Sequence, residues 1–356
     1  MASINFKHTP FGDLALISMR GCEDIASQVD YYLKQWRNIP DDESFVVPAN
    51  CPRFGTGEAK AVLKHTARGL DAYIICDCFN YSVTYKMYGQ TVPMSPDDHY
   101  QDLKRIIAAL GGKARRITVI MPMLYEGRQH RRTTRESMDC AMALQELVAM
   151  GVKNIVTFDA HDPRVNNAIP LDGFDNVQAA YQMIKALLKT VPDIKLDRDH
   201  TMIVSPDEGG MGRCIYYSSV LGLDLGMFYK RRNYSVIVNG RNPIEAHEFL
   251  GNDITGKDLI LVDDMISSGE SMLDIAAKLK EKGAGRIFIF STFGLFVEGF
   301  EKFDQYYADG KIDKIFTTNL IYQPQELLDR EWYCSVNMSK YIALLVETLN
   351  YDNSIS

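Results

Sequence analysis

The fold is decided by one stretch late in the chain, Leu259-Ile-Leu-Val-Asp-Asp-Met-Ile-Ser-Ser-Gly-Glu-Ser271. Its apolar start predicts a buried strand, and apolar residues that recur at helical spacing after the loop predict a helix over 271–282. A strand that leads through a short polar loop into a helix is the repeating unit of α/β folds with parallel sheets. The apolar face of the predicted helix consists of Met272, Ile275, Ala276 and Leu279.

The same alternation continues along the whole chain. Short runs rich in Ile and Val are followed by longer helical patterns, which predicts an α/β fold with mainly parallel sheets flanked by helices. The clearest predicted strands are 72–76, 117–121, 154–158, 202–205, 259–262 and 286–290, and the predicted helices are 98–110, 136–150, 177–189, 212–221, 271–282 and 297–306.

The length predicts two lobes, because 356 residues exceed one ordinary domain. The periodicity is interrupted near 164–173 by Pro163, Pro170 and Gly173, and this break places the lobes at 1–165 and 166–318. Each half has a polar loop after its strands, so the lobes are expected to be similar. The tail, 319–356, contains a strand pattern and a helix pattern and is expected to pack back on the N-terminal lobe.

Composition excludes several classes of protein. A net charge of -7 argues against a nucleic-acid partner, because phosphate backbones are bound by clustered Lys and Arg. No apolar run reaches the roughly 18 residues of a membrane helix, and the N-terminus lacks the pattern of a signal peptide. Seven cysteines without paired C-x-x-C spacing are typical of reduced thiols. The expected location is therefore the cytoplasm, away from membranes.

The loop after the 259–262 strand has the chemistry of a sugar-phosphate site. Asp263 and Asp264 can accept hydrogen bonds from sugar hydroxyls, while backbone N–H groups and hydroxyls at a helix start bind phosphate. An N-cap on an ordinary α/β turn is the plainer interpretation. The phosphate side of the predicted site consists of Ser267, Ser268, Gly269 and Ser271.

A second loop, Ser205-Pro-Asp-Glu-Gly-Gly210, also leads from a strand into a helix. Glycines let a backbone approach a polyphosphate closely, and Asp207 at the strand exit is placed to hold a hydrated Mg²⁺. With the aspartate loop it predicts two phosphate sites in one lobe. The predicted diphosphate loop is Asp207, Glu208, Gly209 and Gly210.

The first lobe contributes two polar segments. Four arginines and a histidine follow a strand in Gly127-Arg-Gln-His-Arg-Arg-Thr-Thr-Arg135, a composition suited to a nucleotide triphosphate, although a solvated basic loop is the common alternative. The second segment, Asp159-Ala-His-Asp162, ends another predicted strand, and its His161 is a candidate for metal or nucleotide.

In this order the segments resemble those of the ribose-phosphate diphosphokinase (phosphoribosyl-pyrophosphate synthetase) family, over nearly the whole chain. The resemblance implies two lobes of phosphoribosyltransferase type and Mg²⁺-dependent transfer of diphosphate from ATP to ribose 5-phosphate. It also implies a homo-oligomer whose ATP site lies near a subunit interface. The segments are Arg53-Phe-Gly-Thr-Gly-Glu58, Arg68-Gly-Leu-Asp71, Gly127-Arg-Gln-His-Arg131, Asp159-Ala-His-Asp162, Ser205-Pro-Asp-Glu-Gly-Gly210, Lys230-Arg-Arg232 and Val262-Asp-Asp-Met-Ile266.

The resemblance also implies roles for individual residues. Lys230 and Arg232 would act at the transferred phosphorus, and Asp263 and Asp264 would orient the ribose. The implied metal ligands are His161 and Asp207, and the implied ATP-binding residues are Phe54, Thr56, Glu58, Arg128, Gln129 and His161.

Three positions depart from the family pattern. Ser267 and His130 stand where aspartate is usual, and Glu270 stands where a small residue is usual. A carboxylate beside a phosphate dianion is repulsive unless it meets a cation, so Glu270 favours a second hypothesis. In that hypothesis the acceptor is a ribose with a masked 5-phosphate, such as ADP-ribose. A third hypothesis is a non-catalytic regulatory homologue that binds nucleotide only.

Overall fold

The computed structural model describes residues 9–232 and 244–355, with the backbone alone at 230–232 and 244–247. Its architecture is α/β, as the sequence predicts, since two mainly parallel sheets are flanked by helices. Two short antiparallel pairs of strands lie outside these sheets. Within the described residues, no helix is both long and apolar enough to cross a membrane.

The chain forms two compact units, each with its own sheet. The lobe boundaries that the sequence suggests stay a prediction, and the compact units differ from them in where 166–178 and 323–336 lie. Unit 1 comprises Met1–Gln178, Asn319–Tyr322 and Asn337–Ser356, and unit 2 comprises Ala179–Thr318 and Gln323–Val336.

Unit 1 alternates strands and helices. In chain order its elements are β1 (Asp13–Ser18), α1 (Glu23–Arg37), β2 (Ala49–Asn50), β3 (Val62–Leu63), β4 (Leu70–Ile75), β5 (Thr84–Met87), β6 (Gln90–Pro93), α2 (Pro96–Leu110), β7 (Arg116–Ile120), α3 (Asp139–Ala149), β8 (Asn154–Phe158), a 3-10 helix (Pro163–Ala168) and β9 (Gly173–Val177). A five-stranded sheet has the order β1-β4-β7-β8-β9. Every neighbouring pair in it is parallel, so all its strands end at the same edge.

Unit 2 is built in the same way around a seven-stranded sheet. Its elements are α4 (Ala180–Thr190), β10 (Thr201–Ser205), α5 (Met211–Leu221), β11 (Asp224–Arg232), β12 (Ile244–Leu250), β13 (Asp258–Ile266), α6 (Glu270–Glu281), β14 (Ile287–Gly294), α7 (Glu301–Ala308), β15 (Lys314–Thr318), α8 (Gln325–Leu328) and β16 (Tyr333–Val336). The strand order is β12-β11-β10-β13-β14-β15-β16. Only β12 runs antiparallel to its neighbour among these described strands.

Helix α6 packs its apolar face into the core of unit 2, together with β13 and β14. The buried side chains of α6 include the predicted ones and also Leu273. Burial of one such side chain contributes roughly 1.5–3 kcal/mol, so this contact fixes the direction in which the helix leaves β13. The predicted apolar face is therefore confirmed: Met272, Ile275, Ala276 and Leu279 are all buried.

The end of the chain contributes α9 (Ser339–Asn350), which packs on α1 in unit 1. The fully buried Asn350 amide donates to Asp71 Oδ2 at 2.8 Å and to the Gly12 carbonyl at 3.2 Å. Its oxygen accepts from Arg37 Nη2 at 2.8 Å. Asp71 is also buried and pairs with Arg116 at 2.7 Å. One amide thus links the last helix to β4.

Replacing Asn350 with Ala is expected to lower the free energy of unfolding by about 2–3 kcal/mol, because it leaves buried polar groups without their partner. Denaturant unfolding followed by circular dichroism measures this loss. The half-exposed Leu344 on the same helix supplies the control, since Leu344→Ala is expected to cost less than about 1 kcal/mol. Equal effects of the two substitutions would contradict a specific role for the amide.

Candidate active site

Two strand-loop-helix connections lie side by side in unit 2. Strands β10 and β13 pair in parallel, with Val204 opposite Leu261. The loop between β10 and α5 and the loop between β13 and α6 therefore leave the same edge of the sheet. This is where ligands bind in open α/β sheets. The sheet topology thus brings the two predicted phosphate loops together.

The first of these loops is held by its own aspartate. Asp207 Oδ1 accepts from the N–H groups of Gly209 at 2.9 Å and Gly210 at 3.2 Å. The Ser205 hydroxyl donates to the Asp207 carbonyl at 2.7 Å. The two glycine N–H groups, which the sequence suggests for diphosphate, are thus bound to a carboxylate here. An anion reaches these two N–H groups only if the Asp207 carboxylate moves. Glu208, which follows Asp207 in the loop, is exposed.

The carboxylate pair that precedes the second loop lies within β13, because the strand continues to Ile266, four residues beyond the predicted end at 262. Asp264 is 4% exposed, and its N–H donates to Asp263 Oδ1 at 2.9 Å. Burial, followed by the neighbouring Asp264 carboxylate, raises the pKa of Asp263 above its ordinary value. Arg213 Nη1 lies 3.8 Å from Asp263 Oδ1 and acts in the opposite direction. Sequence reasoning missed Arg213, because its neighbour Asp263 is distant in the chain.

The predicted phosphate side of this loop leads into α6. Gly269 occupies the N-cap with a φ of 80°, a left-handed conformation that favours glycine. Ser267 and Ser268 are half-buried, and Ser271 is exposed in the first turn of the helix. The first N–H groups of a helix lack partners within it, so this turn is suited to an anion.

Glu270 does not stand unpaired beside this loop. Its carboxylate accepts from Lys302 Nζ at 2.6 Å, and the same ammonium donates to Glu298 at 3.1 Å. Lys302 also lowers the pKa of Glu270. Since Lys302 lies on α7, the cation that balances Glu270 was not recognisable from the sequence.

In unit 1, the predicted adenine-binding residues lie on a loop between β2 and β3. Arg53 and Ala59 form an antiparallel bridge at its base, and the Phe54 N–H donates to the Glu58 carbonyl at 2.7 Å. The Thr56 hydroxyl donates to the Glu58 carboxylate at 2.8 Å. Phe54 is 55% exposed, so the loop presents an aromatic ring and a carboxylate to solvent.

The basic loop after β7 approaches the segment after β8. Arg128 and Gln129 are exposed, while the rings of His130 and His161 lie 5.3 Å apart. His130 Nε2 is 3.5 Å from Asp162 Oδ2, and the buried Nδ1 of the same ring has no hydrogen-bond partner among the described residues. Hydrogen bonds from Arg164 hold the pKa of Asp162 down at about 2. The structure therefore brings two imidazoles together, of which the sequence predicts a binding role only for His161.

The predicted catalytic residues Lys230 and Arg232 belong to β11 by their backbone. Strand β11 runs parallel to β10, with Met227 opposite Ser205, so Lys230 lies beyond the end of β10 on the side of the Asp207 loop. The side chains of Lys230 and Arg232 are outside the described residues.

Two family models match separate parts of the chain. The N-terminal domain of ribose phosphate pyrophosphokinase matches residues 14–151, and a phosphoribosyl synthetase-associated domain matches residues 236–356. Among curated proteins, the ribose-phosphate pyrophosphokinase of Pasteurella multocida is 27% identical over 312 residues, which cover 86% of this chain and 90% of that one. That of Ureaplasma parvum is 26% identical over 312 residues, covering 87% and 84%.

A solved structure is similar over nearly the full length. The phosphoribosylpyrophosphate synthetase from Mycobacterium smegmatis matches with a TM-score of 0.76, covering 96% of this chain and 99% of that one. At 20% sequence identity this likeness concerns the fold. It agrees with the two sheets and their helices described above.

Proposed function

Because the chain belongs to the ribose-phosphate pyrophosphokinase family, we propose that it transfers diphosphate from ATP to the anomeric hydroxyl of ribose 5-phosphate. The products are phosphoribosyl diphosphate and AMP. The chain is an enzyme of the diphosphokinase class. The observation that supports this particular reaction best is the carboxylate pair Asp263 and Asp264 beside the Asp207 loop, on neighbouring strands of one sheet.

The carboxylate pair orients the acceptor. Asp263 and Asp264 accept hydrogen bonds from ribose hydroxyls, and the start of α6 binds the 5-phosphate through backbone N–H groups. The anomeric oxygen then attacks the β-phosphorus of ATP, the bond from that phosphorus to the AMP oxygen breaks, and AMP leaves. Restricting the attacking oxygen in this way is an effective source of rate acceleration.

Mg²⁺ is the proposed metal, and the carboxylate oxygens of Asp207 are the kind of donor that Mg²⁺ takes. The loop of Asp207 orients this carboxylate, whereas the imidazole of His161 is a metal ligand by family resemblance alone. Mg²⁺ commonly takes one or two protein ligands together with substrate phosphates and water. When bound, it neutralises charge on the transferred phosphates. Among the described residues, no group of three or more His, Cys, Asp or Glu side chains could hold a metal alone.

Other parts of the proposal rest on family resemblance. Lys230 and Arg232 supply cations at the β-phosphorus, where negative charge moves in the transition state. Arg128 and Gln129 hold the ATP phosphates, and Phe54, Thr56 and Glu58 contact adenine near a subunit interface of a homo-oligomer. We also propose that the protein works in the cytoplasm.

Acceptor affinity is expected to rise with pH. Burial and Asp264 raise the pKa of Asp263. In the folded protein this carboxyl therefore stays protonated at pH values where an ordinary carboxyl is ionised. Its contribution to the free energy of unfolding accordingly falls as the pH increases. The ionised carboxylate accepts from ribose hydroxyls more strongly than the neutral carboxyl does, so a rising pH favours binding. Measuring the KM for ribose 5-phosphate against pH tests this for wild type and Asp263→Asn. The substrate phosphate ionises in the same way in both measurements, so any difference between the two pH profiles comes from Asp263. Profiles of equal shape would count against Asp263.

The Glu270–Lys302 ion pair weakens the case for a masked acceptor such as ADP-ribose. That hypothesis rests on repulsion between Glu270 and a terminal phosphate, and Lys302 offsets much of this repulsion. Both side chains are at least half exposed, so the effect is modest and depends on salt.

Replacing Lys302 with Ala is expected to raise the KM for ribose 5-phosphate roughly three- to tenfold at low salt. The substitution removes the cation that neutralises Glu270, so the carboxylate repels the substrate phosphate. Adding Glu270→Gln to this variant is expected to restore the KM. Glu298→Gln, which removes the other partner of the same lysine, is the matched control and is expected to change little. If the double variant were no better than Lys302→Ala, the electrostatic explanation would be wrong.

Chromatography or phosphorus NMR of the reaction products tests the proposed function. ATP and Mg²⁺ are supplied with either ribose 5-phosphate or ADP-ribose, and AMP release is followed. We expect AMP with ribose 5-phosphate. AMP with ADP-ribose alone would reject this acceptor, and AMP with neither would support the regulatory homologue.

A further inference from the structure

A hairpin in unit 1 has a tip of unusual composition. Strands β5 and β6 pair antiparallel with Met87 opposite Gln90, so that Tyr88 and Gly89 form a two-residue turn. Both have positive φ, 49° and 79°. This type of turn strongly favours Asn-Gly, Asp-Gly or Gly-Gly. A tyrosine in the left-handed region is strained, and nothing in the turn itself requires an aromatic ring.

The hairpin is attached to the predicted adenine-binding loop. The Tyr88 N–H donates to the Gly55 carbonyl at 2.8 Å. The guanidinium of Arg53 lies over the Tyr85 ring, 4.7 Å from its centre. Gly57 packs so closely on Met87 that an added Cβ would be 3.0 Å from the sulfur. Three separate contacts therefore fix the hairpin tip beside the loop.

This arrangement leaves two large aromatic rings in water on adjoining backbone segments. Phe54 is 55% exposed and Tyr88 is 79% exposed. Single exposed aromatic residues are common on protein surfaces. A strained tyrosine that is hydrogen-bonded by its backbone to the loop carrying a second exposed ring is not explained by folding.

We propose that Tyr88, together with Phe54, binds the purine ring of the nucleotide substrate. The inference rests on the proposed function, in which ATP binds at the loop from Arg53 to Glu58. Flat faces of Tyr and Phe stack on a heteroaromatic base without reading its edge. The Glu58 carboxylate, held by Thr56, then accepts from an exocyclic amino group.

The test compares Tyr88→Asn with Tyr88→Phe by titration calorimetry with ATP and with inorganic tripolyphosphate. Asn fits the turn better than Tyr, so the melting temperature of Tyr88→Asn is expected to equal or exceed that of wild type. Its ATP affinity is expected to fall roughly tenfold, as for loss of one stacking ring, while tripolyphosphate affinity stays unchanged. Tyr88→Phe is expected to retain most of the ATP affinity.

The exposed Tyr181 on α4 supplies a matched control, since Tyr181→Asn is expected to leave ATP affinity unchanged. The inference is overturned if Tyr88→Asn binds ATP as wild type does, or if it loses ATP and tripolyphosphate equally. If Tyr88→Asn does not fold, the same titrations are made with Tyr88→Leu and Tyr88→Phe. Tyr88→Leu is then expected to bind ATP more weakly than Tyr88→Phe. The two proposals can fail separately. If the wild-type protein releases no AMP with ribose 5-phosphate but Tyr88→Asn still weakens ATP binding, the proposed reaction is rejected and the purine site is supported.

Discussion

Replacing Gly269 with Ala is expected to destabilise unit 2 by about 2–4 kcal/mol, through overpacking and backbone strain. The residue has a φ of 80°, and an added Cβ would lie 2.1 Å from Cζ of Phe303. Phe303 is fully buried and stacks on Trp332, with ring centres 5.6 Å apart. The ring has no room to move aside, so the loop must shift and acceptor binding must weaken with it.

Denaturant unfolding and the KM for ribose 5-phosphate measure the two effects of Gly269→Ala. Gly212 on α5 is the matched control, because an added Cβ there meets nothing within 4 Å. Alanine inside a helix is expected to stabilise it by roughly 0.5–1 kcal/mol. A Gly269→Ala variant with the stability and KM of wild type would show that Phe303 does not confine this loop.

Replacing Asp264 with Asn is expected to lower kcat/KM for the acceptor by about 100- to 1000-fold, because positioning of the attacking oxygen depends on it. The substitution keeps the shape of the side chain and removes one strong acceptor at a residue that is only 4% exposed. ATP affinity is expected to stay within about twofold, since in the proposed reaction Asp264 binds the acceptor and does not contact ATP.

Rates of AMP release at saturating ATP, measured against acceptor concentration, test the role of Asp264. The exposed Asp274 on α6 provides the control, and Asp274→Asn is expected to leave kcat/KM unchanged. An Asp264→Asn enzyme with the wild-type kcat/KM would remove the aspartate pair from the proposed reaction.

Elements with strong periodicity were predictable from the sequence. The strand predicted at 154–158 matches β8 residue for residue, and the helix predicted at 271–282 is α6 displaced by one residue. The hairpin of β5 and β6 was not predicted, because each of its strands has only four residues and most of them are exposed. The hairpin contacts the loop from Arg53 to Glu58, which is outside the hairpin sequence.

By itself, the sequence determined the α/β class, the family and the presence of the carboxylate pair in β13. These follow from local patterns: an apolar run, a short polar loop and a helical face. The tertiary structure alone decided that Arg213 faces Asp263, that Lys302 neutralises Glu270, and that Tyr88 lies beside the loop of Phe54. Each of these contacts joins residues far apart in the chain. Their charges and rings meet only because sheet pairing and core packing bring the loops together, which no local pattern encodes.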